Sequence, residues 1–167
     1  MQIRSAETAG FCFGVERAVS LAEQTAKSCA SAVTLGPIIH NRHVVERFEA
    51  MGLREIARAE DAQPGQTVVI RAHGIPVSEQ QTLAARGAKL VDATCPFVKK
   101  IHVIARQAEE AGRHLLIIGT PTHPEVTAIA SDSSDAHVFQ TAEALESWLT
   151  EAPGRRDLPF CMVSQTT

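Results

Sequence analysis

The chain has 167 residues and no apolar run approaching the ~20 that a membrane-spanning helix needs. It has no basic run, and its formal net charge is −3. Nucleic-acid binding therefore has little electrostatic support. An anionic ligand would have to be held by local donors rather than by the overall field. The four cysteines are widely spaced, with no CxxC pair. That argues against a zinc ribbon and against a disulfide-rich secreted domain, and it fits a reducing cytosol. Met1-Gln2-Ile3-Arg4 leads straight into expected structure and lacks the form of a secretory signal. No internal repeat is visible at the level of sequence.

Hydrophobic residues make up 44% of the chain, enough for the core of one ordinary domain or two small ones. The most informative stretch is Val91-Asp92-Ala93-Thr94-Cys95-Pro96. An apolar strand runs into a thiol, and a proline suited to the first turn of a helix follows at once. Cys12 has a related setting in Gly10-Phe11-Cys12-Phe13-Gly14-Val15, with helical periodicity starting just after it. Two thiols in matching strand-to-helix turns suit a soft-metal site, and they equally suit two small buried hydrophobes. The turns alone leave both readings open.

The periodicities predict a strand over Gln2–Ala6, a helix over Val15–Lys27 and a strand over Ala32–Leu35. Asn41 is placed to cap a helix that buries Val44, Val45 and Phe48 and stops at Gly52. Thr67–Ile70 reads as a β-branched strand, Ser78–Arg86 as a helix capped by Ser78, and Lys89–Ala93 as a strand. Pro96–Ala111 reads as a long helix with Phe97, Ile101, Ile104 and Ala108 on one face. His114–Ile118 is a continuous apolar strand of the kind buried on both faces. A short helix after His123-Pro124-Glu125, a strand at His137–Phe139, a helix at Ala142–Leu149, a polar loop at Glu151–Pro159 and a strand at Phe160–Val163 complete the chain.

This alternation predicts an α/β fold of mainly parallel strands, arranged as two similar small three-layer units. The first unit is 1–95, carrying Cys12 and Cys95. The second is 96–167, carrying His123, Glu125 and Thr166, and the division falls near Thr94–Val98. Cys12, His40, His73, Cys95, His123, Glu125 and Thr166 all follow strands and mostly precede helices. In open parallel sheets that edge is where ligands bind.

Helix N-termini present free N–H groups and a positive dipole end, which favour thiolates and phosphate oxygens. His40, His73 and His123 at such turns can donate to a phosphate or diphosphate. Glu125, two residues after His123, suits a proton donor, and it equally suits an ordinary first-turn glutamate. Thr166 offers a hydroxyl to relay a proton or hold a substrate oxygen. His43, His102, His114 and His137 read as surface or core residues, and Cys29 and Cys161 as inert structural thiols.

The motifs Gly10-Phe11-Cys12-Phe13-Gly14-Val15-Glu16-Arg17-Ala18, His40-Asn41, Ala72-His73-Gly74, Asp92-Ala93-Thr94-Cys95-Pro96 with Lys99 and His102, His123-Pro124-Glu125-Val126 and Gln165-Thr166-Thr167 run in order along essentially the whole chain. Together they resemble the 4-hydroxy-3-methylbut-2-enyl diphosphate reductase family of the non-mevalonate isoprenoid pathway. The resemblance implies an oxygen-sensitive, cytoplasmic [4Fe–4S] oxidoreductase. Such an enzyme removes a hydroxyl reductively with two electrons and two protons, giving isopentenyl and dimethylallyl diphosphate. It implies Cys12 and Cys95 as metal ligands, and His40, His73 and His123 around the diphosphate. Glu125 would be the proton source, with Thr166 positioning the substrate and relaying that proton. Ferredoxin or flavodoxin is the implied electron donor.

The family arranges three similar units around a central cluster in a trefoil-like fold. This chain matches the first two and stops within the Gln-Thr-Thr motif. The family's third cluster cysteine and its Ser-x-Asn pair lie in the third unit, and neither Cys29 nor Cys161 aligns with that cysteine. The expectation is a fragment that is inactive alone and whose uncovered apolar faces favour self-association. The alternatives are a non-enzymatic domain binding a phosphorylated ligand, and a zinc hydrolase using Cys12, Cys95 and His123.

Overall fold

The computed structural model describes residues 2–4 and 6–166. Two sheets form, and every strand pairing in them is parallel. The first contains β1 (Val33–Leu35), β2 (Arg54–Ile56), β3 (Thr67–Ile70) and β4 (Lys89–Asp92), in the order β2-β1-β3-β4. The second contains β5 (His114–Ile118), β6 (Ala136–Phe139) and β7 (Phe160–Ser164), in the order β6-β5-β7. Helices α1 (Phe13–Ser28), α2 (Arg42–Ala50), α3 (Val77–Ala85), α4 (Pro96–Glu110), α5 (Pro124–Ala130) and α6 (Ala142–Glu151) alternate with the strands. No helix is long and apolar enough to cross a membrane among the described residues.

Strand pleat sorts the first core into two layers, because successive side chains face opposite sides of a sheet. Val69 points toward α1 and α2, where Ala18, Ala22, Val44 and Phe48 are buried. Val33, Leu35, Val68 and Ile70 face the other way, onto Ile75 and Leu83. Full burial of Leu83 contributes about 1.5–3 kcal/mol. In the second unit Leu115, Ile117 and Val163 pack under Ala105 and Ala108 of α4 and Val126 and Ile129 of α5. Trp148 of α6 covers the opposite face, its ring 5.6 Å from that of Phe139.

Several expectations need correction. The described residues of 2–6 form no strand, and Ile3 lies 84% exposed. A strand needs a pairing partner, and both sheets run without one from this stretch; Ser5 lies outside the described residues. Cys12 thus opens α1 with no strand before it among the described residues. Ser78 does not cap α3, which starts at Val77 after Pro76. The first free N–H is satisfied from elsewhere: Val77 N donates to Ser131 Oγ at 3.0 Å. The buried stripe of α4 is Val98, His102, Ala105 and Ala108, and Phe97 is 64% exposed. Ile101 and Ile104 pack at the edge of the core. Strand β2, with its outward-facing Arg54 and Glu55, has no counterpart in the sequence reading.

Candidate functional site

The strand ends of the first sheet continue to pair beyond the strands themselves. Ala72 N donates to Ile38 O at 3.0 Å, Ala93 N to Ile70 O at 3.1 Å and Cys95 N to Ala72 O at 2.9 Å. This ladder carries the residues after β1, β3 and β4 to one edge, and with them His40, His73 and Cys95. Cys95 is the N-cap of α4, with Pro96 in the first turn, and Cys12 is the N-cap of α1. Neither side chain makes a capping hydrogen bond, so neither sulfur is used up by its own helix.

Helix α1 lies hard against the second thiol. A Cβ on Gly14 would sit 2.4 Å from Cys95 Sγ, so only glycine permits this approach. Arg17, one turn further on, donates to Thr94 O at 3.1 Å and Asp92 O at 3.3 Å, fixing α1 to the segment that delivers Cys95. Cys12 and Cys95 line one cavity of about 270 Å³ together with His40, His73, Phe11 and Val98. Cys29 and Cys161 lie elsewhere: Cys29 contacts Ser31 and Thr67, and Cys161 stands within β7 against the second core.

His40, His73 and His123 come together from both sheets. Ring centroids are 4.6 Å apart for His40–His73, 5.6 Å for His40–His123 and 5.3 Å for His73–His123. His73 is buried, and its Nδ1 has no hydrogen-bond partner among the described residues. Burial, followed by the charges of His40, His123 and Arg71, pushes its pKa down to about 4, so the ring is neutral near pH 7. His123 is pushed down chiefly by burial, against the pull of Glu125. His123 Nδ1 accepts from Glu125 N at 3.2 Å, which puts the ring proton on Nε2.

Glu125 is completely buried in the first turn of α5. Its Oε1 accepts from Thr166 N at 2.7 Å and from Thr166 Oγ1 at 2.9 Å. Gln165 closes the same edge: its N–H donates to Ile118 O at 2.8 Å and its Oε1 accepts from Thr120 N at 3.0 Å. Of the four histidines read as surface or core residues, His102 is a core one. It is buried in α4, its Nδ1 contacts Asp132, and Asp132 also accepts from Arg106 at 3.1 Å. His102 Nε2 has no partner among the described residues and abuts Gly74, where a Cβ would come within 2.9 Å of it. Asp132 lies 30 residues from His102, a separation at which spacing gives no signal.

The donor set divides into two parts. Two thiols in a largely apolar cavity suit a soft iron–sulfur group. Three imidazoles, one with an orphaned buried nitrogen, suit a phosphate-rich anion. Among the described residues no set of three converging metal donors combines Cys12, Cys95 and His123. The zinc-hydrolase alternative therefore finds no assembled site here.

A family model described as LytB protein matches residues 3–167. Two curated relatives carry the name 4-hydroxy-3-methylbut-2-enyl diphosphate reductase. One, from Oleidesulfovibrio alaskensis, is 44% identical over 170 residues; the other, from Nitratidesulfovibrio vulgaris strain Miyazaki F, is 41% identical over 169. Each alignment takes in 100% of this chain and 59% of the relative, so the chain spans well under two thirds of their length. A solved structure of (E)-4-hydroxy-3-methyl-but-2-enyl diphosphate reductase, the terminal enzyme of the non-mevalonate pathway, matches with a TM-score of 0.78 and 39% identity, over 97% of this chain and 57% of that one. The fold of the chain is thus similar to that of over half of that enzyme, and the chain belongs to the LytB protein family.

Proposed function

We propose that this chain supplies two thiolate ligands, the diphosphate cradle and the proton source of a 4-hydroxy-3-methylbut-2-enyl diphosphate reductase. The observation that carries the reading is the shared cavity: the thiols of two N-cap residues, with His40 and His73 on its wall and His123 beside them. Cys12 and Cys95 would hold a [4Fe–4S] cluster. Bound there, the cluster would supply electrons and Lewis acidity toward the substrate's hydroxyl oxygen.

The chain's own residues would do the rest. His40, His73 and His123 would donate N–H groups to the diphosphate, and burial of His73 strengthens its donation by excluding water. That anchoring, remote from the reacting bond, places the allylic carbon–oxygen bond. Glu125 would be the proton source, and Thr166, whose Oγ1 donates to Glu125 Oε1 at 2.9 Å, would be the relay. Two electrons and two protons would be consumed: one proton leaves with the hydroxyl as water, and the other, with the electron pair, forms the new carbon–hydrogen bond of the product. The division near Thr94–Val98 would set the two thiols on one side of the cleft and the acid on the other. The electron donor would be a ferredoxin or flavodoxin in a reducing cytoplasm.

A four-iron cluster of this kind takes three cysteines, and the cavity holds two. The chain by itself should therefore turn over little or no substrate. Anaerobic reconstitution with iron and sulfide tests the reading. A full-length version should absorb near ~400 nm and reduce substrate with methyl viologen, and Cys12→Ser or Cys95→Ser should abolish both. Bound zinc in place of iron would contradict the reading. A protein that binds pyrophosphate but takes up no iron would be the phosphorylated-ligand domain instead.

A further inference from the structure

A second cluster of donors lies at the opposite end of the second sheet. His114 opens β5, Asp135 immediately precedes β6 and His137 is the second residue of β6. Leu115 pairs with Ala136, so His114 stands level with Asp135. Asp135 and His137 are two residues apart and share a face of the sheet. The active-site edge begins after Ile118, ~13 Å further along β5 at 3.3 Å per residue.

The three side chains converge. One nitrogen from each imidazole and one carboxylate oxygen lie within 4.8 Å of one another. His114 Nδ1 contacts one oxygen of Asp135, and His137 Nε2 contacts the other at 2.7 Å. The side chains are 27%, 46% and 32% exposed for His114, Asp135 and His137, so solvent reaches them without surrounding them. Trp148 of α6 packs on His137 with ring centroids 4.6 Å apart and shields one flank.

We infer that His114, Asp135 and His137 form a binding site for a zinc-class divalent ion, a clip between β5 and β6. Two imidazole nitrogens and one carboxylate oxygen are a ligand set for zinc or nickel, with water completing the shell. One carboxylate among two imidazoles is too poor in oxygen for calcium or magnesium. The nitrogens that contact Asp135 are those that would ligate, so the ion replaces the protons now shared in the two contacts. Strand pairing already holds the three backbone positions, which lowers the ordering cost of binding. Lying at the far edge, the ion would stabilise the second unit by mass action rather than take part in chemistry.

The chain has a single tryptophan, and it lies against this site. Tryptophan fluorescence therefore reads it directly. Nickel added to the chain should quench Trp148 at one equivalent, and zinc should compete the nickel away. His114→Gln, which leaves the Trp148 contact untouched, should weaken nickel binding by about tenfold or more. His137→Gln should do the same, and saturating zinc should raise the melting temperature of the parent but not of His114→Gln. His73→Asn, which breaks the separate set of His40, His73 and His123, should leave the quenching intact. Unchanged quenching in His114→Gln, or quenching abolished by His73→Asn, overturns the assignment.

Discussion

Thr166 donates both its backbone N–H and its hydroxyl to one oxygen of the buried Glu125 carboxyl, at 2.7 and 2.9 Å. This pairing ties the segment just after β7 to the first turn of α5. Thr166→Ala keeps the backbone donor and loses the hydroxyl, so it should cost about 1 kcal/mol in urea unfolding. Glu125→Ala strands both donors and should cost about 2–4 kcal/mol. Glu125→Gln should retain the fold, yet in a full-length version lower turnover by about 100-fold or more with iron content unchanged.

Gly14 sets how closely α1 approaches Cys95. Gly14→Ala would push a methyl group to within 2.4 Å of Cys95 Sγ. Overpacking should cost about 1–3 kcal/mol and displace the thiol. Iron bound per full-length protein should fall well below that of the parent, whereas Gly154→Ala, which meets no atom within 4 Å, should bind iron normally.

Much of this site was legible because its residues are punctuated. Cys95-Pro96 and His123-Pro124 announce helix starts, since proline fits the first helical turn, and both residues are N-caps. Thr67–Ile70 stood out as a β-branched run and His114–Ile118 as a continuous apolar one. What escaped depended on partners distant in sequence. Ser78 looked like a cap until Ser131, 54 residues after Val77, took that task. Gln2–Ala6 had a strand's composition, yet its described residues join neither sheet. Strand β2 is a three-residue edge, too short and too charged to show a period. The Gly14–Cys95 approach and the His102–Asp132 contact are tertiary, and no local pattern encodes them.

Asp132 is almost wholly buried between His102 and Arg106, and it joins the helix that begins at Cys95 to the end of the helix that begins at His123. Asp132→Ala removes one partner and leaves His102 buried without it. Breaking such a pair should cost about 3–5 kcal/mol, read as a lower urea midpoint. Asp135→Ala, at a more exposed carboxylate, should cost less in metal-free buffer.

The pKa of His73 gives stability a pH dependence of definite sign. Folded, the ring titrates at about 4; unfolded, it titrates near the ordinary ~6.5. Between those values the unfolded chain binds the extra proton, so stability rises with pH across that window and is lost as pH falls from about 6.5 to about 4. Discounted for water at the ring's edge, the loss from His73 is about 2 kcal/mol by pH 4. His123 is shifted in the same direction and adds to it. Urea midpoints from pH 7 to pH 4 should fall steeply for the parent and less steeply for His73→Asn; equal slopes would contradict the assignment.

The central claim is that separate chain crossings assemble one pocket that grips a diphosphate beside two thiols. Histidine side-chain nitrogen NMR of this chain, titrated with inorganic pyrophosphate, tests it most directly. His40, His73 and His123 should shift together along one binding curve while His43, His114 and His137 stay still. Shifts confined to the latter three, or no shift in the first three at saturating pyrophosphate, would contradict it.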